Sequence, residues 1–93
     1  MEEILPLRRK IDEIDSQILQ LLNERLEISK KIGTIKKKLK IPIGDPRRED
    51  EVYSHVIQKA TELRLDTSKI KGIYHEIIAM CTDAQEGIVA PHA

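Results

Sequence analysis

Cysteine is nearly absent from this 93-residue chain. Cys81 stands alone, which excludes an internal disulfide and a thiolate cluster for zinc. The three histidines are scattered, with no His-x-x-x-His spacing, so no metal site is expected. Phenylalanine and tryptophan are missing, and Tyr53 and Tyr74 are the only aromatics. Single-stranded nucleic-acid platforms rely on stacking rings, so nucleic acid is not an expected partner. No apolar run approaches the roughly 20 residues of a membrane-spanning helix, and the opening MEEILPLRRK does not read as a signal peptide. The cytoplasm is the default compartment. A surplus of either charge is missing too, with 16 basic residues against 16 acidic.

What the chain does have is isoleucine and leucine, fifteen and nine. Apolar residues recur at 7, 11, 14, 18, 21, 28, 32, 35 and 39, a four-three alternation over more than four heptads. Pro6 suits a first helical turn, and no proline follows until Pro42. The spacing predicts one long helix over about 5–39. Ile41-Pro42-Ile43-Gly44 reads as a connector. Asp45-Pro46 opens a second helix to about 64, with Val52, Val56, Ile57, Ala60 and Leu63 facing inward. Asp66-Thr67-Ser68 opens a third over about 67–86, with Ile70, Ile73, Tyr74, Ile77, Ile78 and Ala84 inward. Gly87 and Pro91 end it, and a flexible tail is expected at 87–93. The expectation is one all-α domain of three helices.

Length then bears on assembly. A helix of some 35 residues reaches roughly 50 Å, whereas a compact globule of this size is only about 32 Å across. Much of the first stripe would stay wet in a monomer. An intertwined homodimer is the simplest remedy.

Charge is balanced overall but not locally. Between Arg25 and Arg48 nine Lys or Arg face only Glu27 and Asp45, a local charge of 9 − 2 = +7. Such a centre suits an anionic partner held in one place, although Lys30, Lys31, Lys37, Lys38 and Lys40 also fit a solvated helix face.

Several polar residues fall where the pattern wants apolar ones. Arg25 takes the heptad slot between Leu21 and Ile28. An arginine there can snorkel or specify register; buried, it is costly unless it meets an anion, and its planar fork binds carboxylate or phosphate bidentately. A neighbouring stripe, Leu22, Leu26, Ser29, Gly33 and Lys36, turns from apolar to small to cationic. Gly33 costs a helix about 1 kcal/mol relative to Ala. Either close helix packing or a space into which Lys36 points would account for it. Arg48 and Glu49 lie one turn before Val52, with Asp45 just ahead of them, a cluster that capping and an ion pair would also explain. Cys81 and Gln85 continue the stripe of Ile70 and Ile77 by steps of four. A cysteine there suits core packing, but a buried amide needs hydrogen-bond partners. Three helices thus carry polar groups to an inner, net-positive pocket.

In these residues the sequence resembles the all-helical class of chorismate mutases. The resemblance spans about 7–86 and rests on Leu-Arg-Arg-Lys-Ile-Asp at 7–12, Glu24-Arg25, Ile-Gly-Thr-Ile-Lys at 32–36, Asp45-Pro46-Arg47-Arg48-Glu49, and Gln85. It implies an interlocked homodimer with sites shared between chains, converting chorismate to prephenate on the way to phenylalanine and tyrosine. Arg8 would reach in from the partner chain and, with Arg25, hold two substrate carboxylates, while Arg48 supports that network. Lys36 and Gln85 would donate to the ether oxygen of the breaking bond. Glu49 and the backbone near Asp45 would take the ring hydroxyl. Cys81 departs from the family pattern, where a serine commonly helps hold a carboxylate. A thiol donates more weakly, which implies looser substrate binding.

A pericyclic step requires no nucleophile, general base, metal or cofactor, and none is expected. The protein has to hold a dianion in a compact conformer and stabilise charge on one oxygen. Two other readings stay open. One is an isochorismate-pyruvate lyase of the same fold. The other is a non-enzymatic helical dimerisation module, which gives Arg25 and Gln85 no reason to lie on inward faces.

Overall fold

A computed structural model describes residues 2–88. It is all-α, with no strand among those residues: α1 spans Leu5–Leu39, α2 Pro46–Glu62 and α3 Thr67–Glu86. The tail beyond Ile88 lies outside the described residues. No helix among them is long and apolar enough to cross a membrane.

The helix ends follow from local chemistry. Pro6 sits in the first turn of α1 and Pro46 in that of α2, where a missing N–H costs nothing. The Asp45 carboxylate accepts from the Arg48 backbone N–H at 3.1 Å, and Asp66 does the same for Lys69 at 3.1 Å. Each helix closes with a backbone N–H that reaches five residues back: Ile41 N–H to Lys36 O at 2.9 Å, Leu65 N–H to Ala60 O at 2.8 Å, and Ile88 N–H to Asp83 O at 2.9 Å. Gly87 supplies the left-handed residue for α3, with φ 85°. Arg64 supplies it for α2 at φ 56°, and for this reason α2 stops at Glu62 rather than near 64.

α3 packs against both α1 and α2, while α1 and α2 do not pack on one another among the described residues. The two outer helices therefore diverge and leave a gap beside α3. Tyr53 of α2 helps fasten the α2–α3 pair. Its hydroxyl lies 3.5 Å from His75 Nδ1, and Lys71 Nζ stands 5.7 Å from its ring centroid.

The buried interior is thin. Val56, Ala60, Ile78 and Cys81 form it, joined by Ser29 and Gly33 of α1. The stripe that packs on α3 is thus the second one, ending in Lys36. The first stripe, Leu7 to Leu39, is wet along its whole length, with each of its nine apolar residues 41–63% exposed. Leu63 and Ile73, expected to face inward, are exposed as well; Leu63 falls at the cap, beyond the end of α2.

The molecule measures 57 × 32 × 18 Å with a radius of gyration of 16.4 Å, against about 12 Å for a compact chain of this length. Its accessible surface is 8038 Å², where a compact monomer of this mass would show about 5,500 Å². Most of the exposed large apolar residues lie in α1.

Candidate active site

The gap between the diverging helices is a cavity of about 240 Å³. Arg25, Ile28, Ser29, Ile32 and Lys36 line it from α1, and Ile43 and Asp45 from the connector. Arg48, Glu49 and Val52 contribute from the start of α2, and Ile78, Cys81, Thr82 and Gln85 from the end of α3. A volume below the roughly 300–1,000 Å³ of drug-sized sites suits a small, compact ligand. Three cations face two carboxylates, leaving the wall with 3 − 2 = +1.

Each polar group reaches the cavity for a local reason. Arg25 replaces an apolar residue in the stripe of α1, and its Nη1 donates to the Cys81 sulfur at 2.7 Å. That contact joins α1 to α3 across the cavity floor and leaves the rest of the guanidinium fork free for an anion. Lys36, half-buried in the last turn of α1, donates through Nζ to the Ile43 carbonyl at 3.0 Å. An ammonium has three N–H groups, so two remain to point elsewhere. The connector thereby holds a cation in place without using it up.

Arg48 is held loosely. Its guanidinium pairs with Glu51 at 3.4 Å, and both side chains are exposed. Such a pair is worth about 0–1 kcal/mol, so the guanidinium turns toward a ligand at little cost. The capping and ion pair expected around Asp45, Arg48 and Glu49 are both present, but the pair is made with Glu51. Glu49 is half-buried at the cavity wall.

Gln85 is the odd group in the site. Its Oε1 is buried and has no hydrogen-bond partner. An unmet buried polar atom costs about 1–3 kcal/mol. As an acceptor, Oε1 has unspent capacity for a donor at the cavity wall, while the donors of the same carboxamide are on Nε2.

Gly33 answers the question its sequence position raised. A Cβ there would lie 2.5 Å from Gln85 Cα and 2.7 Å from its carbonyl carbon, with the carbonyl oxygen closer still. Close packing of α3 backbone on α1 fills the space, so Lys36 does not enter it and points instead to the connector and cavity.

Seven of the eight residues singled out by the sequence therefore meet at one cavity: Arg25, Lys36, Asp45, Arg48, Glu49, Cys81 and Gln85. Arg8 does not join them. It is exposed near the start of α1, seventeen residues before Arg25, which is roughly 25 Å along the helix. Ser29 and Thr82 line the cavity without having been singled out. Thr82 lies three residues before Gln85, a spacing that shares a helix face, and Ser29 was visible within the small-residue stripe.

A helical scaffold that gathers two arginines, a lysine and a carboxamide around one cavity has the composition suited to a compact anion. More specifically, the chain belongs to the chorismate mutase type II family, whose model matches residues 7–86. It is 40% identical over 91 residues to the bifunctional chorismate mutase/prephenate dehydratase of Aquifex aeolicus, covering 95% of this chain and 25% of that protein. The chain thus spans a quarter of that relative's length. It is 41% identical over 66 residues to the chorismate mutase of Methanocaldococcus jannaschii, covering 71% of this chain and 67% of that one. Its fold is similar to that of a conserved hypothetical protein from Pyrococcus furiosus, with a TM-score of 0.70 and 40% identity over 91% of this chain and 97% of the other.

Proposed function

We propose that this chain is an isomerase that rearranges chorismate to prephenate, and that it works as a homodimer. The observation that carries the reading is the convergence of Arg25, Arg48, Lys36 and the Gln85 carboxamide on one cavity. The substrate is a dianion, and two guanidinium groups are suited to its carboxylates. Lys36 and Gln85 donate to the ether oxygen as its bond to carbon breaks and negative charge develops there. Glu49 and the backbone near Asp45 take the ring hydroxyl. The name of the Aquifex relative, which couples chorismate mutase with prephenate dehydratase, supports a place on the route to phenylalanine and tyrosine.

The energetics are sufficient. An acceleration of about 10⁶ requires roughly 8 kcal/mol. Holding the substrate in a near-attack conformer can supply about 7–11 kcal/mol, and each donor aimed at the developing oxyanion about 2.7–4 kcal/mol. No covalent intermediate is needed.

Arg8 enters from the second copy. The wet Leu7–Leu39 stripe and a total surface larger than that of a compact monomer support pairing of the two long helices. In such a pair the start of one α1 lies beside the Arg25–Lys36 segment of the other, if the helices run antiparallel. Arg8 then completes the partner's cavity.

The test is ultraviolet loss of chorismate by purified, chelator-treated protein, with prephenate identified as the product. A parallel assay with isochorismate reads release of pyruvate. Turnover of chorismate is the expected result; pyruvate release from isochorismate alone identifies a lyase, and inertness toward both leaves a dimerisation module.

A further inference from the structure

The five exposed lysines of residues 30–40 read as a solvated face, but one of them is engaged across helices. Lys37 Nζ donates to the Glu86 carbonyl at 2.9 Å. That carbonyl belongs to the last turn of α3, where helix carbonyls lack internal partners and the dipole favours a cation. Glu86 directly follows Gln85. One turn earlier on α1, Gly33 lets the Gln85 backbone seat directly against the helix. The next residue of α3, Gly87, lies close enough that a Cβ on it would stand 3.4 Å from Lys37 Nζ.

Gln85 is therefore gripped from two sides, by backbone contact at Gly33 and by the ammonium of Lys37. We infer that Lys37 is a positioning residue: it latches the last turn of α3 onto α1 and so fixes the Gln85 carboxamide relative to Lys36. Lys37 itself does not line the cavity. It acts through the register of α3, and it sits on the same helix as Lys36, one residue on. The two donors proposed for the ether oxygen then have a common reference frame, which a pair of independently mobile side chains would lack. The inference rests on the proposed rearrangement.

Without the latch, the final turn of α3 would fray, as helix ends do where carbonyls lose their partners. Gln85 lies inside that turn. Fraying would blur the carboxamide position while leaving the Arg25–Cys81 end of the cavity intact. The loss should fall on the chemical step rather than on binding.

The experiment is a double-mutant cycle on the full chain. Lys37→Met should lower kcat about 3- to 10-fold, the range expected for one net hydrogen bond, and change KM less than about 2-fold. Lys37→Arg, which keeps the charge and a donor, should recover most of the rate. In a Gln85→Ala background Lys37→Met should cost nothing further, because its only route to the chemistry has gone. Amide exchange at Gly87 and Ile88 should quicken in Lys37→Met and not in Lys37→Arg. A higher KM with unchanged kcat, or additive losses in the cycle, overturns the latch and makes Lys37 a remote charge. Wild-type protein inert toward chorismate overturns the reaction itself, whereas unchanged exchange at Gly87 and Ile88 overturns the latch whatever the activity.

Discussion

At the scale of single residues, the site divides into groups that stand out in the sequence and groups that do not. Arg25, Lys36 and Gln85 interrupt apolar or small stripes, and a charged or amide group at a core slot has to find a partner. Ser29 and Thr82 carry no such signal, since small hydroxyls are at home on either face of a helix. The cross-helix bond of Lys37 depends on where a different helix ends, which periodicity does not report. Two predictions belong here. A carboxamide donates at every ordinary pH, but a carboxyl donates only when protonated. Gln85→Glu should keep the fold and make kcat depend on one proton, active at low pH and falling about 10²- to 10³-fold as pH rises through the new carboxyl's pKa. Burial pushes that pKa up and Lys36 pulls it down. A pH–rate profile from about 4 to 9 as flat as wild type's would remove Gln85 from the breaking bond. Cys81→Ser replaces a weak donor with a stronger one beside Arg25. It should lower KM about 2- to 10-fold with kcat little changed, and steady-state kinetics on the two proteins decide it.

Helices are the next scale, and their starts were plain in the chain because Pro6, Asp45-Pro46 and Asp66 each act locally. The end of α2 was not: Arg64 and Lys40 both turn left-handed without being glycine, but only Lys40 is followed closely by a proline, Pro42, that marks the stop. Which element covers a helix face was also beyond reach: periodicity gave α1 two stripes but not which of them packs on α3. Gly33 joins the element scale to the site. Alanine is the better helix former by about 1 kcal/mol, so propensity alone predicts that Gly33→Ala stabilises. The contact with the Gln85 backbone predicts the opposite. A Cβ at 2.5 Å from Gln85 Cα must push α3 away from α1, a strain typically worth about 1–3 kcal/mol. Gly33→Ala should lower the Tm and the kcat together, and a variant more stable than wild type would show that α3 has room to yield.

For the whole molecule, the question is where Arg8 belongs. Within one chain it is stranded far from the cavity, and among the described residues its side chain makes no hydrogen bond or ion pair. The shared-site arrangement makes a definite prediction. Arg8→Ala and Arg25→Ala should each be nearly inactive as pure proteins. Refolded together, half of the pairs are mixed, and each mixed pair has one site with both arginines, giving about a quarter of wild-type activity. Mixed dimers proven by mass spectrometry but without activity would place Arg8 outside the partner's site.

The wet stripe of α1 has a last consequence, which concerns mass action. If a second copy covers that surface, a chain with so small an interior of its own has no fixed stability: its melting temperature should climb with protein concentration, since association and folding draw on the same free energy. Catalysis inherits that dependence when Arg8 of each site arrives with the partner. Specific activity, constant for a monomeric enzyme at any dilution, should here fall away below the dissociation constant of the pair, and added unlabelled inactive Arg25→Ala chain should bring part of it back.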